Sequence, residues 1–286
     1  VPETTASATP GRSLDACRVI SAEQLVELDS DQQPVLIIDL SSQPVYGRRH
    51  IPGAIWFDFK ALVYSRPPVA GLMPDAGKLG KYLGHNGLTP AHRVVAYDDE
   101  NGLKACRLLW TLDAIGHPHS ALLDGGLEAW QVTGLQRHNI RRDSAVKETT
   151  PEYPVVYHAD VSADRGYIES RLDRQDTRLL DARSGAEFRG NDQRAARAGH
   201  IPGAINIEWN RCLDPDNGLY LRPPEQLITL FSAHGITPDR EVICYCHTHR
   251  RSAFMYIVLK HLGYPRVRGY PGSWSEWGNL YDAPVE

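Results

Sequence analysis

The 286-residue sequence predicts an α/β protein made of two tandem domains, each a parallel β-sheet flanked by helices on both faces. Two observations carry this. Continuous apolar runs such as Val35-Leu36-Ile37-Ile38-Asp39 and Arg93-Val94-Val95-Ala96-Tyr97-Asp98 mark strands buried on both faces, and they alternate with helix-like segments. The second half then repeats the first. His200-Ile201-Pro202-Gly203-Ala204-Ile205 matches His50 to Ile55 residue for residue, Gly235-Ile236-Thr237-Pro238 answers Gly87-Leu88-Thr89-Pro90, and Val242-Ile243-Cys244-Tyr245-Cys246 answers Val94-Val95-Ala96-Tyr97-Asp98. Blocks kept in order at a nearly constant offset mean a duplicated domain.

In chain order, residues 1–17 are small and polar and are expected to be mobile. The first domain is placed at 18–137. A helix starts at Ser21, with Glu23 and Gln24 in its first turn. The strand ending at Asp39 follows, then the His50 block, a Pro-rich loop at Pro67 and Pro68, and a helix near Lys78–Leu83. The strand ending at Asp98, a helix over Ala105–Ile115 closed by Gly116, and a strand and turn from Ala121 to Gly126 complete it. Residues 138–158, charged and carrying Pro151 and Pro154, read as a linker. The second domain is placed at 159–282, with Leu179-Leu180-Asp181-Ala182-Arg183 answering Ile37 to Ser41. Ligands of parallel sheets bind at the carboxyl ends of strands, where Arg183 and Cys246 both fall.

A net charge of −4 provides no basic field for nucleic acid, and no apolar run approaches membrane-spanning length. Five scattered cysteines form no disulfide framework, so a reducing, cytoplasmic setting is expected. The first residues lack the basic and apolar parts of a signal peptide; the absence of an initial Met leaves a removed export segment open.

The two copies differ most where the chemistry would be. The second has Cys246-His247-Thr248-His249-Arg250-Arg251-Ser252 between a strand and a helix; the first has Asp98-Asp99-Glu100-Asn101-Gly102. Unpaired amides at a helix start and nearby arginines favour a thiolate, which points to Cys246 as a nucleophile. Amides from His247 to Arg251 would cradle an anion, and His247 and His249 could add positive charge. The acidic loop of the first copy carries no sulfur, leaving that copy as a wall and an interface. Cys17, Cys106, Cys212 and Cys244 are read as structural thiols. A zinc site at Cys244 and Cys246 lacks a second ligand cluster, so no metal is expected. His50 and His200 recur in both copies and are assigned to turn hydrogen bonds.

The tandem His-Ile-Pro-Gly-Ala blocks, the Cys-headed loop in the second copy only, and the ending Gly272-Ser273-Trp274-Ser275-Glu276-Trp277-Gly278-Asn279 resemble the two-domain rhodanese sulfurtransferases. The loop is most similar to a bacterial thiosulfate sulfurtransferase subgroup. The resemblance implies a ping-pong cycle without a cofactor: Cys246 takes a sulfane sulfur from thiosulfate, becomes a persulfide, and passes it to cyanide or a thiol. It further implies that Arg183 binds the donor's sulfonate and that His247, Thr248, His249, Arg250 and Arg251 shape the donor site. A monomer is expected, with protein sulfur acceptors as further partners. Thr248 stands where well-studied thiosulfate enzymes have lysine, and the loop also lacks the small neutral residues of mercaptopyruvate enzymes; its basicity favours an inorganic anion. Rival functions are a mercaptopyruvate enzyme, a cysteine-dependent phosphatase and a non-catalytic sulfur-carrier module. A Cys-x5-Arg phosphatase loop would need arginine at position 252, where this chain has Ser252.

Overall fold

The computed structural model describes residues 18–30, 34–135, 151–218 and 220–286. The segment 1–17, with Cys17, and the linker residues 138–150 lie outside them. The first repeat starts with β1 (Val19–Ile20) and α1 (Ala22–Ser30). Ser21 caps α1: its Oγ accepts from the Gln24 amide while Gln24 Oε1 accepts from the Ser21 amide. Then come β2 (Val35–Asp39), α2 (Gln43–Arg48), β3 (Ile55–Trp56), a hairpin of β4 (Tyr64–Arg66) and β5 (Val69–Leu72), α3 (Ala76–His85), β6 (Arg93–Tyr97), α4 (Leu103–Ala114), β7 (Ser120–Leu123) and α5 (Gly126–Val132). The second repeat comprises α6 (Arg165–Glu169), β8 (Thr177–Asp181), α7 (Gly185–Phe188), β9 (Ile205–Asn206), α8 (Pro224–Ala233), β10 (Glu241–Tyr245), α9 (Arg251–His261), β11 (Val267–Gly269) and α10 (Ser273–Trp277).

Strand order is β1-β7-β6-β2-β3 in one sheet and β11-β10-β8-β9 in the other, all parallel. The expected fold class is therefore observed. The duplication extends to single bonds. Tyr97 Oη accepts from the Ile51 amide and Tyr245 Oη from the Ile201 amide. His50 bonds the Tyr46 carbonyl and His200 the Phe188 carbonyl, each ring stacked on that neighbour, so both histidines are turn residues as expected.

Alternation along the strands sorts side chains into three cores. Leu36, Ile38, Val94 and Ala96 face inward with Val242, Cys244 and Cys246, forming one core shared by both sheets. Val35, Ile37, Val95 and Tyr97 line the outer face of the first sheet, and Ile243 and Tyr245 that of the second. Helices α4 and α9 fill the shared layer. Every residue of α9 from Ser252 to Leu259 is buried, as an apolar-all-round helix requires.

Each repeat also reaches over the other. The β4–β5 hairpin, where the sequence suggested only a Pro-rich loop, crosses to α10: the Ala70 amide donates to Ser275 Oγ, which donates back to the Ala70 carbonyl. Conversely, Leu213 and Leu221, joined by an antiparallel bridge, reach the first repeat's loop, with the Leu221 amide donating to Asp124. Linker residues 151–158 run along the first repeat, where the Tyr153 amide donates to Gly80 and Tyr157 Oη to Pro74.

Candidate active site

Cys246 follows β10 at its carboxyl end, on the inner face and at the start of the loop that leads into α9. The residue is 1% exposed, so its thiol lies on the floor of the site. Burial pushes this thiol up. Arg251, the Ser252 hydroxyl and the amides of Ser252 and Thr248 outweigh burial and hold it below its ordinary value. The other described cysteines have no such surroundings: burial raises Cys106 and Cys244, and pushes Cys212 up to about 12. All three are buried core thiols, as the sequence suggested.

The first repeat shows what this loop geometry accommodates. At the position of Cys246, the Asp98 carboxylate is held by four amides, those of Glu100 at 2.7 Å, Gly102 at 2.9 Å, Lys104 at 2.6 Å and Ala105 at 2.7 Å. The chain reverses alike in both loops, with Asn101 and His249, at corresponding positions, both at φ 55°. Inward-pointing amides make each loop an anion nest. The first is filled by its own side chain; the second is headed by a thiol.

The charged residues are arranged differently from the sequence expectation. Arg251 makes a two-pronged ion pair with Glu187, Nη1 to Oε2 at 2.6 Å and Nη2 to Oε1 at 2.8 Å. Glu187 also closes a capping box with Ser184, and burial is outweighed by these partners so that its pKa falls to about 2. Arg250 points to the first repeat, pairing with Glu100 at 3.1 Å. Arg183 is deeper than the sequence expectation. Its side chain is 2% exposed and clamped on Asp181, with Nη2 also donating to the Gly199 carbonyl and Trp274 stacked at 4.5 Å. Nε and Nη2 are committed to protein acceptors, while Nη1 donates to none of the described residues. In the first repeat Ser41 stands at this position, with its amide donating to Asp39 Oδ1 at 2.7 Å and no guanidinium to pair the carboxylate.

The histidines require a correction. His249 is 0% exposed, lies edge-on to Trp110 of the first repeat at 4.3 Å, and bonds Ser252 Oγ through Nδ1 at 2.7 Å. Burial, with Arg107 nearby, holds it well below its ordinary value. Burial also lowers half-buried His247. Neither adds the positive charge that the sequence suggested. Thr248 lies under the hairpin: a Cβ on Gly71 would fall 2.3 Å from the Thr248 carbonyl oxygen.

Sequence reasoning missed Glu187, Ser252, Arg107, Trp110 and Gly71. Ser184-x-x-Glu187 carries a capping-box signature that could have located Glu187; the first-repeat residues carry no local signal. Among the described residues, no cluster of three or more His, Cys, Asp or Glu could hold a metal ion, and no helix is long and apolar enough to cross a membrane.

Two coupled α/β repeats with a single Cys-headed anion nest define a duplicated cysteine-site protein. The family follows from comparison: a model described as a rhodanese-like domain matches residues 21–133 and again 164–280, and the chain belongs to that family. It is 44% identical over 252 residues to a thiosulfate sulfurtransferase of Pseudomonas aeruginosa, covering 88% of this chain and 91% of that one. A thiosulfate sulfurtransferase of Azotobacter vinelandii is 40% identical with the same coverage. Among solved structures, EanB in complex with ergothioneine, a Y353A variant, shares the fold with a TM-score of 0.82 at 24% identity, covering 97% of this chain and 72% of that one.

Proposed function

We propose that the protein is a thiosulfate sulfurtransferase working through a Cys246 persulfide. The Cys246 thiolate attacks the outer sulfur of thiosulfate, the S–S bond of the donor breaks, and sulfite leaves with the electron pair. The enzyme then carries Cys246–S–S⁻. Cyanide or a thiolate attacks the terminal sulfur, forming thiocyanate or a new persulfide and returning the Cys246 thiolate. Charge balances in both halves, and the thiolate serves first as nucleophile and then as leaving group.

The observation that carries this reading is the Asp98 carboxylate in the sister loop. Its oxygens lie two bonds beyond Cβ, as the terminal sulfur of a cysteine persulfide does. The duplicated nest thus holds, in the first repeat, a carboxyl oxygen at the reach that a persulfide would have in the second; burial pushes that carboxyl up, and the four amides are what oppose it. The names of the two sulfurtransferase relatives support thiosulfate as donor. Against a phosphatase stands Arg251, whose fork is spent on Glu187 instead of being aimed into the nest. The reading further includes no resident cofactor, small-molecule donor and acceptor, a monomer, and a reducing cytoplasm that keeps Cys246 free.

Intact mass tests it. Thiosulfate should add one sulfur to Cys246, cyanide should remove it, and Cys246→Ala should take up none. A wild-type protein that gains no sulfur from thiosulfate would refute the reading.

A further inference from the structure

Arg107 lies on α4, in the repeat without a nucleophile, yet every hydrogen bond its guanidinium makes among the described residues goes to the edge of the Cys246 site. Nη1 donates to the carbonyls of Thr248 at 3.4 Å and His249 at 3.3 Å, and Nη2 to the carbonyl of Leu72 in the covering hairpin at 3.3 Å. The residue is fully buried, and the guanidinium lies 4.9 Å from the Trp110 ring centre. No carboxylate among the described residues pairs with it. Arg251 and Arg250, by contrast, have Glu187 and Glu100.

Peptide planarity explains the carbonyl contacts. A trans peptide directs its N–H and C=O to opposite sides, so a loop that turns amides toward an anion turns the matching carbonyls outward. In the first repeat the Gly102 amide faces the carboxylate. The corresponding peptide in the second repeat joins His249 to Arg250, and its carbonyl is one that Arg107 holds. His249 has a left-handed backbone at φ 55°, uncommon for a side chain of its size. Arg107 and Trp110 brace it from the opposite repeat. An unpaired guanidinium in a dry interface is costly unless an anion is near. Burial lowers Arg107 to about 9, opposed by the Cys246 charge, whereas the thiol itself is held down chiefly by Arg251, Ser252 and the Thr248 amide.

We propose that Arg107 is a positioning residue for the Cys246 loop, supplied by the non-catalytic repeat: its fork clamps the outward carbonyls of Thr248 and His249 and ties them to the covering hairpin at Leu72. This rests on Cys246 being the reactive thiol of the loop. It gives the first repeat a task in the chemistry, because removing that repeat would remove the clamp.

The test compares Arg107→Met, Arg107→Lys and wild type by the pH dependence of Cys246 alkylation with iodoacetamide, read by mass, alongside kcat and KM for thiosulfate. Arg107→Met should move the alkylation midpoint up by about one pH unit, a roughly tenfold loss of thiolate below it, and lower kcat more than it raises KM. Arg107→Lys should restore both the midpoint and kcat only in part, since an ammonium cannot fork across two carbonyls. A folded Arg107→Met with the wild-type midpoint would overturn the proposal. If that variant does not fold, Arg107→Lys decides: a midpoint and a kcat both equal to wild type would overturn it. A midpoint that shifts in a protein taking up no sulfur would sink the sulfurtransferase reading while leaving Arg107 as the clamp of the Cys246 loop.

Discussion

Adding one methyl group at Gly71 should damage chemistry across the boundary between the repeats. Gly71 has φ 82°, and an added Cβ would sit 2.3 Å from the Thr248 carbonyl oxygen and 2.8 Å from its carbonyl carbon, both backbone atoms of the nest. Relief to ordinary contact requires the hairpin and loop to separate by about 1 Å, a misplacement that can cost about a hundredfold in rate, or about 2.7 kcal/mol of barrier. The left-handed backbone adds a strain of roughly 1–2 kcal/mol of stability. Gly203 provides the control: its φ is 71°, but an added Cβ would meet nothing within 4 Å. Both variants should lose stability in urea titrations, Gly71→Ala more because of the added clash, while only Gly71→Ala loses about two orders of magnitude in kcat/KM for thiocyanate formation. Equal activity in the two variants would refute the claim that the hairpin sets the loop's position.

Three further outcomes are expected. Glu187 has a folded pKa of about 2 against an ordinary 4.5, so its contribution is fully present above pH 4.5 and lost as pH falls toward 2; wild type should lose roughly 2–3 kcal/mol across that window in acid titration, and Glu187→Gln should show no such step. Arg183→Met leaves the buried Asp181 carboxylate unpaired and should cost about 3–5 kcal/mol of stability by chemical denaturation; an unchanged unfolding midpoint with a raised KM for thiosulfate would instead favour the donor role that the sequence suggested. Asp98→Ala empties the first nest and leaves four amides without their acceptor, so the unfolding free energy should fall by several kcal/mol, with Asp98→Asn intermediate.

The parts of this protein that could be read from its sequence are those encoded locally or twice. Buried strands such as Val35–Asp39 announce themselves as apolar runs, and the His-Ile-Pro-Gly-Ala blocks give away the duplication. Cys246 could be read because the sister loop has Asp98 in its place. Residues whose role depends on a partner far along the chain could not. The Asp181 partner that holds Arg183 follows from its strand-end position only once the fold is known, and His249, expected to add positive charge and shape the donor site, is covered by Trp110. Gly71 and Arg107 act on a loop that is distant in sequence, across an interface that no spacing pattern reports. The β4–β5 hairpin was obscured for a related reason: its exposed residues Tyr64, Ser65 and Arg66 lack the alternation of a half-buried strand, and its order comes from packing on α10.

The most direct test of the central claim is a crystal structure after reaction with thiosulfate. A second sulfur should appear on Cys246, within hydrogen-bonding distance of the Thr248 and Ser252 amides, and coincide with an Asp98 carboxylate oxygen when the two repeats are superposed. Sulfur directed away from the nest, or carried by another residue, would contradict it.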